Sequence, residues 1–152
     1  MVILRKRVVG LTEQSMKRFL KHVCRIAGLR GDVDVLVTSN KELKALNREF
    51  RGKDQATDVL SFPATADLQK THAGDIAISA EMAAHNARLL GHSTGEEIKI
   101  LVLHGILHLR GYDHERDHGE MARREQKLRR ALRLPVGLIE RTECRPPLRR
   151  RA

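Results

Sequence analysis

Apolar side chains recur along the chain in two alternating rhythms, one near 3.6 residues and one of two, and together they predict a succession of helices and strands. From Thr12 to about Leu29, Met16, Phe19, Leu20, Val23 and Ala27 fall at helical spacing. Thr12 is placed to cap the start, and Gly28 and Gly31 mark the exit. Cys24 adjoins that stripe and reads as core. Val33, Val35 and Val37 then alternate with Asp32, Asp34, Leu36 and Thr38, the pattern of a strand. A short helix is expected over Lys41–Phe50, capped by Ser39 or Asn40, with Leu43, Leu46 and Phe50 inward. Residues 57–63, stopped by Pro63, and residues 75–79 read as two more strands. An Ala-rich helix follows from Ser79 to about Leu90 and ends at Gly91.

Between Ser93 and Arg110 the pattern changes. Ile98, Ile100, Leu101, Val102, Leu103, Ile106, Leu107 and Leu109 leave no polar face after the first turn, as in a helix buried nearly all round. A last helix, from Glu115 or Asp117 to about Leu132, is amphipathic and basic, with Met121, Leu128 and Leu132 inward. The expected fold class is α+β: a small mixed sheet packed with about five helices.

At 152 residues with 41% hydrophobic and 32% charged side chains, the chain is long enough for one core and too apolar for disorder. It has no apolar run of the roughly 20 residues that a membrane span needs. The opening MVILRKRVVG leaves no room for the apolar core of a secretory leader, so a cytoplasmic location is expected. Residues 1–144 read as a single domain and 145–152 as a basic, disordered tail. Cys24 and Cys144 form no paired ligand motif, and a disulfide scaffold is not expected.

Charge points to a partner. Lys and Arg number 29 against 19 Asp and Glu, a net of +10. Residues 1–30 carry 8 basic and 1 acidic side chains, residues 31–114 carry 9 and 12, and residues 115–152 carry 12 and 6. Two basic ends suit a polyanion, because neutralised phosphates release counterions on association. Aromatics are 3% and Trp is absent, so backbone contacts rather than base stacking must carry any nucleic-acid affinity.

The chemistry concentrates in residues 104–114, HGILHLRGYDH. His104 and His108 are four apart, so on a helix their imidazoles lie one turn apart on one face. Gly111 can end the helix in a left-handed turn and bring His114 back as a third nitrogen. Three neutral imidazoles leave a fourth position open for water, the arrangement of a catalytic zinc. One Zn2+ per chain is expected, and Ni2+ or another divalent ion suits the same nitrogens. His118 sits in a solvated turn and is not expected to ligate; His22, His72, His85 and His92 read as surface residues. The spacing also matches the three-histidine site of metzincin peptidases, which carry a Glu directly after the first His as general base. Here that position is Gly105, and the net charge favours a phosphodiester over a peptide.

This segment resembles the signature of the YbeY family of bacterial endoribonucleases, H-G-x-L-H-L-x-G-Y-D-H. Three further blocks agree: LNREFRGKD at 46–54, TDVLSFP at 57–63 and GDIAIS at 74–79. One departure is Gln55-Ala56, where the family commonly has Lys-Pro. The resemblance implies a metal-dependent, single-strand-specific endoribonuclease acting in 16S rRNA 3′-end maturation and ribosome quality control, with metal-bound water as nucleophile or base. Its partners would be single-stranded RNA, rRNA in the ribosome or its precursors, and a ribosomal protein or assembly GTPase, with no membrane. By the same resemblance Arg51 is the functional arginine near the cleft, suited to hold two phosphate oxygens. Lys53 is expected to be a phosphate contact at most, and Asp113, beside the third ligand, is placed either to orient an imidazole or to cap a helix or turn. Asp58 and Asp75 are candidates for similar support, and Tyr112 for packing. Two other readings stay open: a metal-stabilised ribosome-assembly or RNA-binding factor with little turnover, and a metallopeptidase, which the Gly at 105 disfavours.

Overall fold

The computed structural model describes residues 1–67 and 71–143. Its elements run β1 (Val2–Leu4), α1 (Glu13–Ala27), β2 (Asp32–Thr38), α2 (Asn40–Arg51), β3 (Val59–Pro63), β4 (His72–Ser79), α3 (Ala80–Leu90), α4 (Thr94–Leu109), α5 (Glu120–Ala131) and α6 (Leu138–Glu143). The α+β expectation holds, with six helices and a four-stranded mixed sheet among the described residues. The proposed tail and Cys144 lie outside them. No helix among the described residues is long and apolar enough to cross a membrane.

The strand order is β1-β2-β4-β3, with β1, β2 and β4 parallel and β3 antiparallel at the edge. Because strand side chains alternate between faces, Val33, Val35 and Val37 of β2 share one face with Ile76 and Ile78 of β4. That face packs against Met16, Leu20 and Val23 of α1 and Ile98, Leu101 and Val102 of α4 in one buried core. The opposite face offers Leu60 and Ala77 to Leu43 of α2. Helix α4 is thereby enclosed, and Ile98, Ile100, Leu101, Val102, Leu103, Ile106 and Leu107 are fully buried.

Local chemistry sets the boundaries. Ser93 and Glu96 form a reciprocal capping box at the start of α4, satisfying two N–H groups that a helix start leaves unpaired. At the other end Gly111 takes a φ of 109°, with its N–H on the His108 carbonyl and that of Tyr112 on the Leu107 carbonyl. The backbone turns there as expected. Helix α5 begins later than expected, at Glu120. The Asp117 carboxylate accepts from the N–H groups of Gly119 and Met121 at 2.9 Å each, and this turn occupies the residues that the apolar pattern had assigned to the helix. Two elements went unanticipated: β1, only three residues long, and α6.

Candidate metal centre

Helix α4 fixes His104 and His108 one turn apart, and the Gly111 turn returns His114 to them. The ring centroids are separated by 4.7 Å for His104 and His108, 5.4 Å for His104 and His114, and 5.5 Å for His108 and His114. One ligating nitrogen from each lies within 4.8 Å of the other two. Burial grades outward: His104 is 5% exposed, His108 is half-buried and His114 is open to solvent. The cluster has a closed floor and an open mouth.

The hydrogen bonds behind the rings decide what the front nitrogens can do. Nδ1 of His108 lies 3.0 Å from the Tyr112 carbonyl, which can only accept, so the proton sits on Nδ1 and Nε2 keeps its lone pair. Nδ1 of His104 lies 2.7 Å from Oε2 of Glu125, which orients that ring in the same sense. The two Nε2 atoms face each other at 3.1 Å. Two nitrogens held 2.0–2.1 Å from one tetrahedral ion lie about 3.3 Å apart. The donor set and its spacing therefore fit a shared divalent cation. Burial, then the charge of His104, pushes the pKa of His108 down, favouring the neutral ring that a ligand must be.

Glu125 was missed in the sequence, although it continues the apolar stripe of Met121, Leu128 and Leu132, where a carboxylate needs a reason. It is fully buried, and its second oxygen, Oε1, accepts from the Ile139 N–H at 2.8 Å. A second buried carboxylate was also missed. Glu97 receives Nη1 and Nη2 of Arg141 at 2.8 and 2.9 Å and lies 2.8 Å from Nε2 of His92. Burial pushes its pKa up, but these hydrogen bonds and their charge outweigh that and hold it low. His92 is accordingly not a surface residue: its side chain is 9% exposed, covered through this pairing.

The other sequence candidates lie as follows. Arg51 is the exposed last residue of α2 and Lys53 is exposed just beyond it, and neither bonds to the triad among the described residues. Asp113 turns Oδ1 to the Glu115 N–H at 3.1 Å and faces Arg116 at 3.6 Å. Asp58 is largely buried, and burial followed by the Glu97 charge raises its pKa against two opposing backbone N–H groups. Asp75 pairs with His72 at 3.3 Å. Both gather with Asp34 on an open surface, where Asp34 also holds the terminal amine at 2.7 Å. Tyr112 packs on the core, and His118 is exposed. Position 105 faces the sheet: a Cβ there would lie 2.9 Å from Cδ1 of Ile76 and 3.0 Å from Oγ of Ser61.

Fold and site together define a small α+β protein with an open three-nitrogen cluster, the arrangement found in metallohydrolases. The family model described as Endoribonuclease YbeY matches residues 4–133. A relative of that name from Koribacter versatilis is 58% identical over 142 residues, 93% of this chain and 91% of its own. Another, from Solibacter usitatus, is 44% identical over 142 residues, 93% of this chain and 94% of its own. The solution structure of TM1509 from Thermotoga maritima superposes with a TM-score of 0.59 at 29% identity, over 99% of this chain and 100% of that one. The chain belongs to the YbeY family, and the expected class of enzyme, an endoribonuclease, stands with it.

Proposed function

We propose that this chain is a zinc-dependent, single-strand-specific endoribonuclease of the cytoplasm, acting in 16S rRNA 3′-end maturation and ribosome quality control. The observation that carries the reading is the convergence of His104, His108 and His114 with the Nδ1 atoms of two rings already engaged. His104, His108 and His114 would hold the ion, with Glu125 and the Tyr112 carbonyl orienting two of the rings. Such an ion supplies Lewis acidity, polarising a phosphoryl oxygen and acidifying water at the reacting centre. Arg51 would hold two oxygens of the scissile phosphate through its planar fork, and Lys53 would add a point charge. The open side at His114 admits a strand of RNA, while the buried floor at His104 keeps water from the far side. The net charge of +10 supplies the attraction, and ribosomal RNA with its proteins would be the setting.

Cleavage of single-stranded and duplex RNA by purified wild type, beside Arg51→Ala carrying full zinc, tests this. The expected result is zinc-dependent cutting of single strands by the wild type alone. A wild type that binds RNA and zinc but never cuts would favour the assembly-factor reading.

A further inference from the structure

Helix α6 lies past residue 133, where the match to the family model ends. Three sets of bonds tie it to the body. Arg141 clamps buried Glu97 with both terminal nitrogens, at 2.8 and 2.9 Å. Arg129 of α5 donates Nε and Nη2 to Glu140, at 2.7 and 2.9 Å. The third bond is the Ile139 N–H donating to Oε1 of Glu125 at 2.8 Å, while Oε2 of the same carboxylate meets Nδ1 of His104 at 2.7 Å. One fully buried carboxylate thus joins a peptide group of α6 to a ring of the triad. The approach is close: a Cβ on Gly137 would stand 2.5 Å from Oε1 and 3.0 Å from Cγ of Glu125.

We propose that α6 is a positioning element for the metal centre, which anchors Oε1 of Glu125, fixes Oε2 behind His104, and so sets how tightly the triad holds a divalent ion. This rests on reading the triad as a metal site. The physical argument concerns order. A glutamate held through one oxygen still swings about its last torsions, whereas one held through both presents a fixed acceptor. That acceptor sets the tautomer and tilt of the imidazole, and outer partners of this kind change metal affinity by about 10–100-fold. α6 acts one bond further out, so an effect of about 10-fold is expected. Ile139 is itself buried, 5% exposed, so its N–H meets the carboxylate away from solvent.

Coupling of this kind is reciprocal: if docked α6 tightens zinc binding, zinc must tighten the docking of α6 by the same factor. In the intact wild type, hydrogen exchange at the Ile139 amide should therefore slow about 10-fold on zinc loading. A chelator competition should find zinc bound about 10-fold more weakly by Gly137→Ala, whose new methyl displaces the carboxylate, and several-fold more weakly by Arg129→Met, which releases Glu140. A helix that only adds stability would lower the melting temperature of these variants and leave both readouts unmoved. Exchange at Ile139 indifferent to zinc, together with a wild-type zinc Kd in Arg129→Met, overturns the proposal even if Gly137→Ala does not fold. A wild type that takes up no zinc instead fails the reading of the triad itself, and the proposal with it.

Discussion

Nε2 of His104 and Nε2 of His108 face each other at 3.1 Å, and the hydrogen bonds behind the two rings direct lone pairs, not protons, into the space between them. Without a cation there, two partial negative charges oppose each other inside a half-buried pocket. One tightly bound divalent ion per chain is the expected stoichiometry. His108→Ala should lose most of that metal and keep its helical circular dichroism. Each fully buried aliphatic residue contributes about 1.5–3 kcal/mol, and α4 has seven of them. Elemental analysis decides: equal metal in both proteins would remove His108 from the ligand set.

Arg51 is exposed and cationic, so it neither supports the core nor offers a lone pair to a metal. Arg51→Ala should leave zinc content and melting temperature unchanged while lowering turnover about 100-fold, the scale of a lost preorganised charge donor. Arg51→Lys should recover only part, since an ammonium replaces a two-pronged fork. Wild-type rates in both variants would return Arg51 to the surface.

Asp58 gives a pH-dependent stability. Burial raises its folded pKa above the ordinary 3.8, so the folded state binds this proton more tightly than the unfolded one. Below the unfolded pKa both states are protonated and the carboxyl costs nothing. As pH rises through the folded pKa a penalty appears, and it persists at pH 7. Asp58→Asn should therefore melt about 2 °C higher at pH 7, with the gain vanishing as pH falls toward 3. Melting curves at both extremes check it, and a loss of stability at pH 7 would contradict it.

Glu97 and Arg141 are buried together, and removing Arg141 leaves the Glu97 carboxylate with His92 as its remaining described partner. Arg141→Met should cost about 3–5 kcal/mol, read from urea unfolding. Replacing both residues, as Glu97→Leu with Arg141→Met, should restore part of that loss, because two desolvated charges disappear at once while His92 loses its carboxylate partner. A double variant as unstable as the single one would show that shape, not charge, dominates there.

Arg30 and Arg110 line a cleft of about 450 Å3 beside the C-terminal end of α4. If RNA phosphates reach it, replacing both arginines with Ala should weaken binding and reduce the slope of log K against log salt by about 1.4, at about 0.7 per phosphate on a single strand. Deleting residues 145–152, with Arg145, Arg149, Arg150 and Arg151, should flatten it further. Titration of fluorescent RNA at several salt concentrations reads both, and unchanged slopes would leave these arginines as solvated surface.

Legibility followed locality. The spacing of His104 and His108, the turn at Gly111 and the unbroken apolar run of α4 are local signals, and each led to the element found. Thr12 caps α1 as expected, and of the two residues offered for α2 it is Ser39 that caps the helix. What stayed hidden depends on distant partners. α6 follows Pro135 and Gly137 in a short stretch with no period of its own, and Arg141 finds Glu97 across 44 positions. His92 reads as polar and exposed until Glu97 is seen to need a partner. β1 is three residues long, too short for alternation to register, and it exists because β2 offers it a parallel edge.

The missing Cβ at Gly105 narrows one evolutionary route. A general base at that position would push its side chain against Ile76 Cδ1 and Ser61 Oγ, which would lie 2.9 and 3.0 Å from its Cβ alone, so a glutamate could enter only by turning both of those side chains aside. Exchanging one side chain therefore does not suffice to turn this scaffold toward peptide cleavage, because two neighbours on the sheet must give way with it.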